Sequence, residues 1–332
     1  MQSVFNAKPP SFITEEISEI LKRERDLDGN MTELFSDRDQ NFLMEHAGGR
    51  YIVKVSNPME DESTLDLQDK AVDHISKIDP SIQVPKRMGP IIIEEKNGRS
   101  FMIRMMRYIE GSFLSDSELS KDGYEGMGIF LGRLTSSLHG FEHPGAHRKF
   151  HWDARQLDLM EDKLRYIESS NDRRMIEHFM NVFEKDIGPL AHRLRMSIIH
   201  NDGNDHNILV NDRGETIGII DFGDMVYSYT VMDPAVCMAY INLNKEDALP
   251  HMAAMLSGYR STYRLNDAEL MSVVHLMCLR LCVTVLMASW RKRLFPENEY
   301  LVISEAPAWR LLKKMQCQDL NEWANKLTEH AR

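Results

Sequence analysis

Three side chains near the middle of the chain have the types and the spacing that phosphoryl transfer to a hydroxyl group requires. Asp202 and Asn207 lie in the pattern H-x-D-x-x-x-x-N, which begins at His200, and Asp221 opens the triplet D-F-G. A single carboxylate on a loop, such as Asp202, can orient a hydroxyl nucleophile and accept its proton. Mg²⁺ prefers oxygen ligands and keeps several waters, so one amide and one carboxylate, such as Asn207 and Asp221, are enough to bind it. The pattern therefore predicts transfer of a nucleotide phosphoryl group at this point.

The segment between the two metal-ligand candidates is predicted to be a β-hairpin. Residues 208–210 and 217–220 are short and rich in β-branched side chains, and turn formers separate them. This hairpin would place Asn207 beside Asp221. Acidic and amide residues next to a hairpin are often turn formers only. Here, however, both motifs occur in the required order with apolar strands between them. His200 is expected to brace the loop rather than to react.

A lysine on a predicted strand is the candidate for binding the nucleotide phosphates. Lys54 alternates with apolar neighbours, so its ammonium group would project from the opposite face of the sheet. A lysine on a solvated sheet face is the alternative, and the phosphotransfer motifs downstream favour the phosphate role. Such a lysine usually has an acidic partner on the inserted helix, where this chain has Asp66, Gln68 and Asp69. By its spacing on that helix, Gln68 is predicted to be the partner.

The loop that would lie above the phosphates, residues 36–41, contains no glycine. Its backbone amides and the Ser36 hydroxyl are candidates for phosphate contacts, and so is Arg38. Asp37 and Asp39 must point away from the phosphates or pair with Arg38, because like charges at this range repel each other.

The order of the predicted elements indicates an α+β protein with two lobes. Residues 1–108 are predicted to form a nucleotide-binding lobe from an antiparallel sheet with one inserted helix, and residues 109–332 a mainly helical catalytic and acceptor-binding lobe. The hinge is expected near residues 107–111, where a strand ends close to Gly111. A backbone segment there can face adenine, and Tyr108 is the candidate nucleotide contact.

The individual elements follow from the change between strand and helix periodicity. The predicted strands of the first lobe are residues 33–35, 41–45, 50–55, 90–94 and 100–108. The predicted helices are residues 11–24, 63–78, 127–138, 156–168, 172–187, 234–243, 246–259, 267–292 and 308–316.

Acidic and aromatic residues near the D-F-G triplet are candidates for binding an amine-bearing acceptor. Asp224 follows the triplet, and Trp152 and Tyr227 are aromatic residues able to enclose an ammonium group by cation–π contact. Asp224 is equally suited to supporting the loop. Asp233 lies on the same side of the motif, and there the cap of a helix that starts at Pro234 is the favoured role.

The composition is that of a globular protein large enough for two lobes. The chain has 332 residues, and 40 basic against 51 acidic residues give a net charge of −11. This balance, without a basic cluster interleaved with aromatic residues, argues against a nucleic-acid partner and is compatible with a cationic substrate. The N-terminus lacks the layout of a secretion signal, and the four cysteines lack disulfide-framework spacing. A cytoplasmic location is therefore expected.

The most apolar stretch, residues 270–290, is expected to be a buried helix rather than a membrane span. It carries Arg280 near its middle, and a central arginine costs about 2.5–3.5 kcal/mol on insertion scales. His275, Cys278 and Cys282 share one face of this helix. A metal site is disfavoured there, because three ligands on one straight helix diverge and their neighbours are typical of a core.

The chain resembles the aminoglycoside phosphotransferase and choline kinase superfamily of small-molecule kinases. Within it the chain is most similar to the hydroxylysine-kinase-like branch, which also occurs as an N-terminal domain of class III aminotransferase fusions. Both lobes contribute matching segments: S-D-R-D-Q-N-F at residues 36–42, I-V-K-V at 52–55, H-N-D-G-N-D-H-N at 200–207 and I-I-D-F-G-D-M-V-Y-S-Y at 219–229.

The resemblance implies a bilobal protein-kinase-like fold, with a small antiparallel-sheet N-lobe and a mainly helical C-lobe. It implies ATP or GTP as phosphoryl donor together with Mg²⁺. It also implies a base role for Asp202, metal roles for Asn207 and Asp221, and a phosphate role for Lys54. Asn201 departs from the glycine common after the motif histidine, and Gln68 stands where a glutamate is often found.

The leading interpretation is a kinase that phosphorylates a hydroxyl of a small amine-bearing metabolite, such as a hydroxylysine-like amino acid or an amino alcohol. An antibiotic phosphotransferase of the aminoglycoside type is the nearest alternative, and a non-catalytic nucleotide-binding module is another. The intact motif residues argue against the last of these, because a degenerate domain is free to lose any of them. The acceptor, the choice between ATP and GTP, and the oligomeric state stay open, with a homodimer as one option.

Overall fold

The computed structural model describes residues 3–331 as two lobes. The first is built on an antiparallel sheet, and the second is mainly helical. This is the α+β arrangement that the order of the elements predicts.

The small lobe is a five-stranded antiparallel sheet with two helices. The strands are β1 (Asn30–Leu34), β2 (Gln40–His46), β3 (Gly49–Val55), β4 (Ile92–Lys96) and β5 (Arg99–Arg107), and the helices are α1 (Thr14–Arg25) and α2 (Glu62–Ile78). The sheet order is β1-β2-β3-β5-β4. Lys54 in β3 pairs with Asn41 in β2 and with Arg104 in β5. Residues opposite each other in a sheet point to the same face, so these three side chains share one side of the small lobe.

The large lobe combines two small sheets with a set of helices. Strands β6 (Ser112–Phe113), β8 (Ile208–Val210) and β9 (Thr216–Ile219) form one sheet, and β7 (Met196–Ile199) and β10 (Val226–Tyr229) form the other. The helices are α3 (Lys121–Leu138), α4 (Leu157–Lys163), α5 (Ser170–Asp186), α6 (Met232–Ile241), α7 (Leu249–Thr262), α8 (Asp267–Leu294), α9 (Glu305–Gln316) and α10 (Leu320–His330).

Each lobe has its own apolar core, and two segments of the small-lobe sequence join the core of the large lobe. Ile17 of α1 packs in the small-lobe core, whereas Leu67 and Ile75 of α2 belong to the large-lobe core. Phe5 also packs in the large-lobe core, while Phe12 packs in the small one. The chain therefore crosses between the lobes near its start, and α2 ties the sheet to the large lobe.

Helix α8 is the central helix of the large lobe. It is long and apolar enough to cross a membrane by length and composition, with a mean hydropathy of 2.1, but 94% of that window is buried inside the protein. Helices α4, α5, α6, α9 and α10 surround it, which explains why it is apolar on all sides. His275, Cys278 and Cys282 lie in this buried helix. Across residues 3–331, no group of three or more His, Cys, Asp or Glu side chains is placed to hold a metal ion.

Candidate active site

A cavity of about 670 Å³ between the lobes brings the motif residues together. Asp202, Asn207 and Asp221 line it from the large lobe, and Lys54 lines it from the sheet. The other predicted nucleotide contacts, Ser36, Arg38, Gln68 and Tyr108, line the same cavity. Lys54 and Asp221, which are 167 positions apart in the sequence, thus meet at one cavity.

The Asp202 carboxylate is held by three donors, and its side chain is 18% exposed. Arg280 in α8 donates from Nη2 to Oδ1 over 2.7 Å, and Asn204 donates to the same oxygen over 3.0 Å. Asn207 donates to Oδ2 over 2.7 Å. Burial raises the pKa of Asp202 to about 7, although the positive charge of Arg280 opposes the rise. A carboxylate whose pKa lies near neutrality suits a general base.

Asp233 fixes the backbone of the loop that carries Asp202. Its carboxylate accepts hydrogen bonds from the backbone N–H groups of Asn201 over 2.8 Å and of His200 over 3.4 Å. Asn201 has a φ of 65°, in the left-handed region that asparagine tolerates better than most residues. Its own amide donates to the carbonyls of Trp152 and Asp224. Asn201 therefore replaces the glycine common at this position without loss of the turn.

Asp233 does not cap a helix, contrary to the sequence prediction. Helix α6 begins at Met232, two residues before the predicted start at Pro234, and has no side-chain cap. The Asp233 carboxylate instead points to the loop that carries Asp202. Burial raises its pKa to about 6.

His200 braces the loop, as predicted. Burial lowers the pKa of His200 to about 4, so its ring is neutral at physiological pH. A neutral ring has one donor and one acceptor nitrogen. Nε2 lies 3.2 Å from the Ile220 carbonyl and therefore donates, while Nδ1 accepts from the Asp202 N–H over 3.3 Å. The histidine thus links the two motifs through a fixed tautomer.

Asn207 and Asp221 retain one free oxygen each for a metal ion. The hairpin of β8 and β9 forms as predicted, with Ile208 opposite Ile219. Within residues 3–331, Oδ1 of Asn207 and Oδ2 of Asp221 take part in no hydrogen bond. Although burial opposes it, the neighbouring Lys54 lowers the pKa of Asp221, which is therefore ionised. One amide and one carboxylate oxygen fit the few protein ligands that Mg²⁺ needs.

The strained backbone of Asp221 is consistent with a functional site. Its φ of 58° is in the left-handed region, where few residues other than glycine lie. The Gly223 N–H donates to Oδ1 over 3.2 Å and holds the side chain in place. Backbone strain of this kind persists only where surrounding contacts enforce it.

The predicted partner of Lys54 is wrong. Gln68 accepts a hydrogen bond from Arg104 over 3.1 Å. Lys54 forms ion pairs with Asp221 over 3.2 Å and with Asp39 over 3.3 Å. The sequence places Gln68 on the correct helix, but the Gln68 side chain is hydrogen-bonded to the buried Arg104 of β5.

The acidic residues of the loop over the cleft are all paired. Asp37 pairs with Arg291 in α8 over 2.9 Å and lies 3.9 Å from Arg38. Arg38 pairs with Asp224, and its guanidinium stacks 5.0 Å from the centre of the Phe5 ring. These contacts tie the loop to the large lobe. They also neutralise carboxylates that would repel a nucleotide.

The aromatic residues predicted for the acceptor behave differently from the prediction. Trp152 lines the cavity, but the Arg280 guanidinium lies 4.6 Å from its ring centre. Tyr227 does not line the cavity, and its ring packs against His147 at 4.5 Å. Asp224 lines the cavity while paired with Arg38. The structure therefore keeps Trp152 and Asp224 at the site and removes Tyr227.

Several cavity residues were missed by sequence reasoning. One face of α8 lines the cavity over three turns, from Arg280 through Thr284 and Met287 to Arg291. Tyr240 of α6 is next to Arg280, and Tyr300 and Glu305 line the cavity from the segment around the start of α9. The available signal was the charge of Arg280 within an otherwise apolar helix, because a buried charge must have partners.

Comparisons with known proteins identify the family of this chain. Residues 31–265 match the phosphotransferase enzyme family. Hydroxylysine kinase of Mus musculus is 27% identical over 310 residues, which cover 84% of this chain and 82% of the relative. This level of identity supports the family.

Two solved structures show the same fold. The microcompartment-associated aminopropanol kinase has a TM-score of 0.70 at 16% identity, over 92% of this chain and 99% of that one. An amicoumacin kinase in complex with AMP-PNP, Ca²⁺ and Ami has a TM-score of 0.69 at 16% identity, over 94% and 100% of the two chains. The chain therefore belongs to the phosphotransferase enzyme family and is a small-molecule kinase that acts on hydroxyl groups.

Proposed function

We propose that this enzyme transfers the γ-phosphoryl group of a purine nucleoside triphosphate to a hydroxyl of a small amine-bearing metabolite, such as a hydroxylysine-like amino acid or an amino alcohol. The observation that carries the proposal is the Asp202 carboxylate, held in one cavity with Asn207, Asp221 and Lys54. Similarity to a hydroxylysine kinase and to the fold of an aminopropanol kinase supports the acceptor class.

The residues divide the work of the reaction. Asp202 faces the acceptor hydroxyl and takes its proton as the oxygen attacks the γ-phosphorus. Asn207 and Asp221 would hold Mg²⁺, which would neutralise phosphate charge and orient the phosphates. Lys54 extends from β3 to the nucleotide phosphates. As the new bond to the γ-phosphorus forms, the bond from that phosphorus to the β-phosphate oxygen breaks, and the nucleoside diphosphate leaves.

The cavity carries charges of both signs. Arg280 and Arg291 line it from α8, and Asp224 and Glu305 line it from other elements. Arg280 and Arg291 pair with Asp202 and Asp37, so a polycation in the cavity would have to compete with these arginines for the same carboxylates. An acceptor with an ammonium and a carboxylate group complements both signs. Charge complementarity therefore favours a hydroxy amino acid over an aminoglycoside.

An acceptor screen tests this proposal directly. We expect hydroxylated amino acids to release nucleoside diphosphate faster than amino alcohols, and both to exceed neutral polyols and aminoglycosides. The screen uses ATP and GTP in parallel with Mg²⁺, and Asp202→Asn measures the background of nucleotide hydrolysis. An aminoglycoside as the best acceptor would support the antibiotic-phosphotransferase alternative. Nucleotide binding without turnover on any acceptor would support the non-catalytic module.

Asp221→Ala is expected to weaken binding of the magnesium–nucleotide pair by about 10-fold or more, since it removes a ligand of the metal. Calorimetric titration with nucleotide, in the presence of Mg²⁺ and then of a chelator, measures the effect. The titration with chelator is the control, and there the variant and the parent protein are expected to differ little. Magnesium-independent nucleotide binding by the parent protein would contradict the metal role of Asp221.

A further inference from the structure

Two cations of the small-lobe sheet face the cavity side by side. Lys54 of β3 pairs across the sheet with Arg104 of β5, and both line the cavity. Directly opposed side chains in a sheet lie close enough to compete for the same partners. The division of partners between these two cations therefore determines where each of them points.

Arg104 contacts two polar side chains of helix α2, Gln68 and Asp69. Its guanidinium, 1% exposed, donates to Gln68 over 3.1 Å and lies 3.7 Å from Asp69. The second oxygen of Asp69 accepts from Arg87 over 2.7 Å. The helix that usually supplies a partner for the phosphate-binding lysine is thus committed to Arg104.

Asp39 is the carboxylate left to Lys54 on the small-lobe side. It directly precedes β2, in which Asn41 is opposite Lys54. Side chains two residues apart on a strand point to the same face, so Asp39 is the diagonal neighbour of Lys54. The oxygen Oδ2 of Asp39 lies 3.3 Å from the Lys54 ammonium, and both side chains are mostly buried, at 15% and 14% exposure.

A second contact fixes the position of Asp39. Its oxygen Oδ1 accepts a hydrogen bond from the backbone N–H of Asn57 over 2.9 Å. The Asn57 side chain, in turn, donates to the Arg38 carbonyl over 3.1 Å. Asn57 is itself buried at 1% exposure. The segment after β3 therefore holds the loop over the cleft, and the loop holds Lys54.

We propose that Asp39, rather than a residue of helix α2, positions Lys54 for the nucleotide phosphates. This inference rests on the proposed function, in which Asp221 serves the metal ion. A carboxylate bound to Mg²⁺ is less available to Lys54, whereas Asp39 stays with the lysine. The loop above the phosphates and the lysine then act as one unit.

A double-mutant cycle tests the inference, because a residue that acts through Lys54 has no further effect once Lys54 is removed. The variants are Asp39→Asn, Lys54→Met and their combination. The measured quantity is the dissociation constant of the magnesium–nucleotide complex, which requires no known acceptor. We expect Asp39→Asn alone to weaken binding by about 10-fold, within the range of coupling energies for residues in contact. In the Lys54→Met background we expect less than about a 2-fold further change.

Gln68→Leu is the matched control on helix α2. Whatever fold-change in dissociation constant it causes, we expect the same fold-change in the Lys54→Met background. Asp39→Glu, which restores the charge on a longer side chain, is expected to regain part of the lost affinity. Unfolding midpoints of all variants show whether each of them folds.

The outcomes separate this inference from the proposed function. The positioning role of Asp39 is overturned if the fold-changes in dissociation constant caused by Asp39→Asn and Lys54→Met simply multiply in the double variant. It is also overturned if Gln68→Leu, and not Asp39→Asn, loses its effect in the Lys54→Met background. Such a result would not contradict the proposed function, because turnover on an acceptor is measured separately. Coupling between Asp39 and Lys54 without turnover on any acceptor would support the inference and contradict the proposed function.

Discussion

Replacing Asp202 by asparagine is expected to lower turnover by about 10² to 10⁴, the usual contribution of a positioned general base. The amide has the shape of the carboxylate but cannot accept the proton of the acceptor hydroxyl. Nucleotide affinity is expected to change little, because Asp202 approaches the acceptor and not the metal oxygens of Asn207 and Asp221. Turnover on the best acceptor and the dissociation constant of the nucleotide are the two measurements.

Asp205→Asn is the control for this substitution. Asp205 lies on the same loop, three residues after Asp202, and does not line the cavity. The control removes one negative charge nearby without touching the base, and its turnover is expected to stay close to that of the parent enzyme. Equal losses in both variants would point to long-range electrostatics. Unchanged turnover in Asp202→Asn would remove Asp202 from the mechanism.

The parts of the site that the sequence predicted are those set by local structure. The hairpin between Asn207 and Asp221 follows from turn formers between two apolar segments, and Gly214 in its turn has a φ of 73°. The cavity-facing direction of Lys54 follows from strand alternation. Both inferences use residues within a few positions of each other, so no knowledge of the tertiary fold was needed.

The partners of these residues depend on contacts between distant segments. Gln68 was a reasonable choice for Lys54 from helix spacing, but Arg104 comes from a strand 36 residues further on. The register of β2 against β3 would have identified Asp39, since it brings that residue diagonally next to Lys54. Asp233 was assigned to a helix cap because a proline follows it. Its carboxylate instead accepts a hydrogen bond from the backbone N–H of Asn201, which lies 32 residues earlier in the sequence.

Some elements were missed for different reasons. Strands β7 and β10 have four residues each, and within residues 3–331 they pair only with each other. Such short, non-local strands have no distinctive pattern. Helix α10 did carry a signal, because Leu320, Ala324 and Leu327 are buried at helical spacing.

The partners of Arg280 are the feature of the site that was hardest to predict from the sequence. In the sequence it is a charge that argues against a membrane span, and nothing local indicates its partners. In the structure it is 78 residues from Asp202 and pairs with it over 2.7 Å. It also donates to the carbonyls of Trp152 over 3.0 Å and of Asn201 over 3.2 Å. One guanidinium thus connects α8, the loop of Asp202 and the segment around Trp152.

Replacing Arg280 by methionine is expected to destabilise the protein by about 3–5 kcal/mol, the usual cost of removing one partner of a buried ion pair. Methionine keeps an unbranched apolar side chain in the same space. It leaves the Asp202 carboxylate without its counter-charge and the Asn201 carbonyl without the Arg280 donor, while the Trp152 carbonyl keeps the donor from the Asn201 amide. Turnover is expected to fall together with stability, because Asp202 loses the contact that orients it. Denaturant unfolding and turnover below the unfolding midpoint measure the two effects.

Arg280→Lys is the matched variant for separating charge from geometry. A lysine keeps the positive charge for Asp202 but lacks the planar fork that reaches two carbonyls and a carboxylate at once. We expect it to regain part of the stability while turnover stays low. If Arg280→Met unfolded like the parent protein and kept its turnover, the guanidinium would be a passive filler of the helix interior. The orientation of Asp202 would then have to come from Asn204 and Asn207 alone.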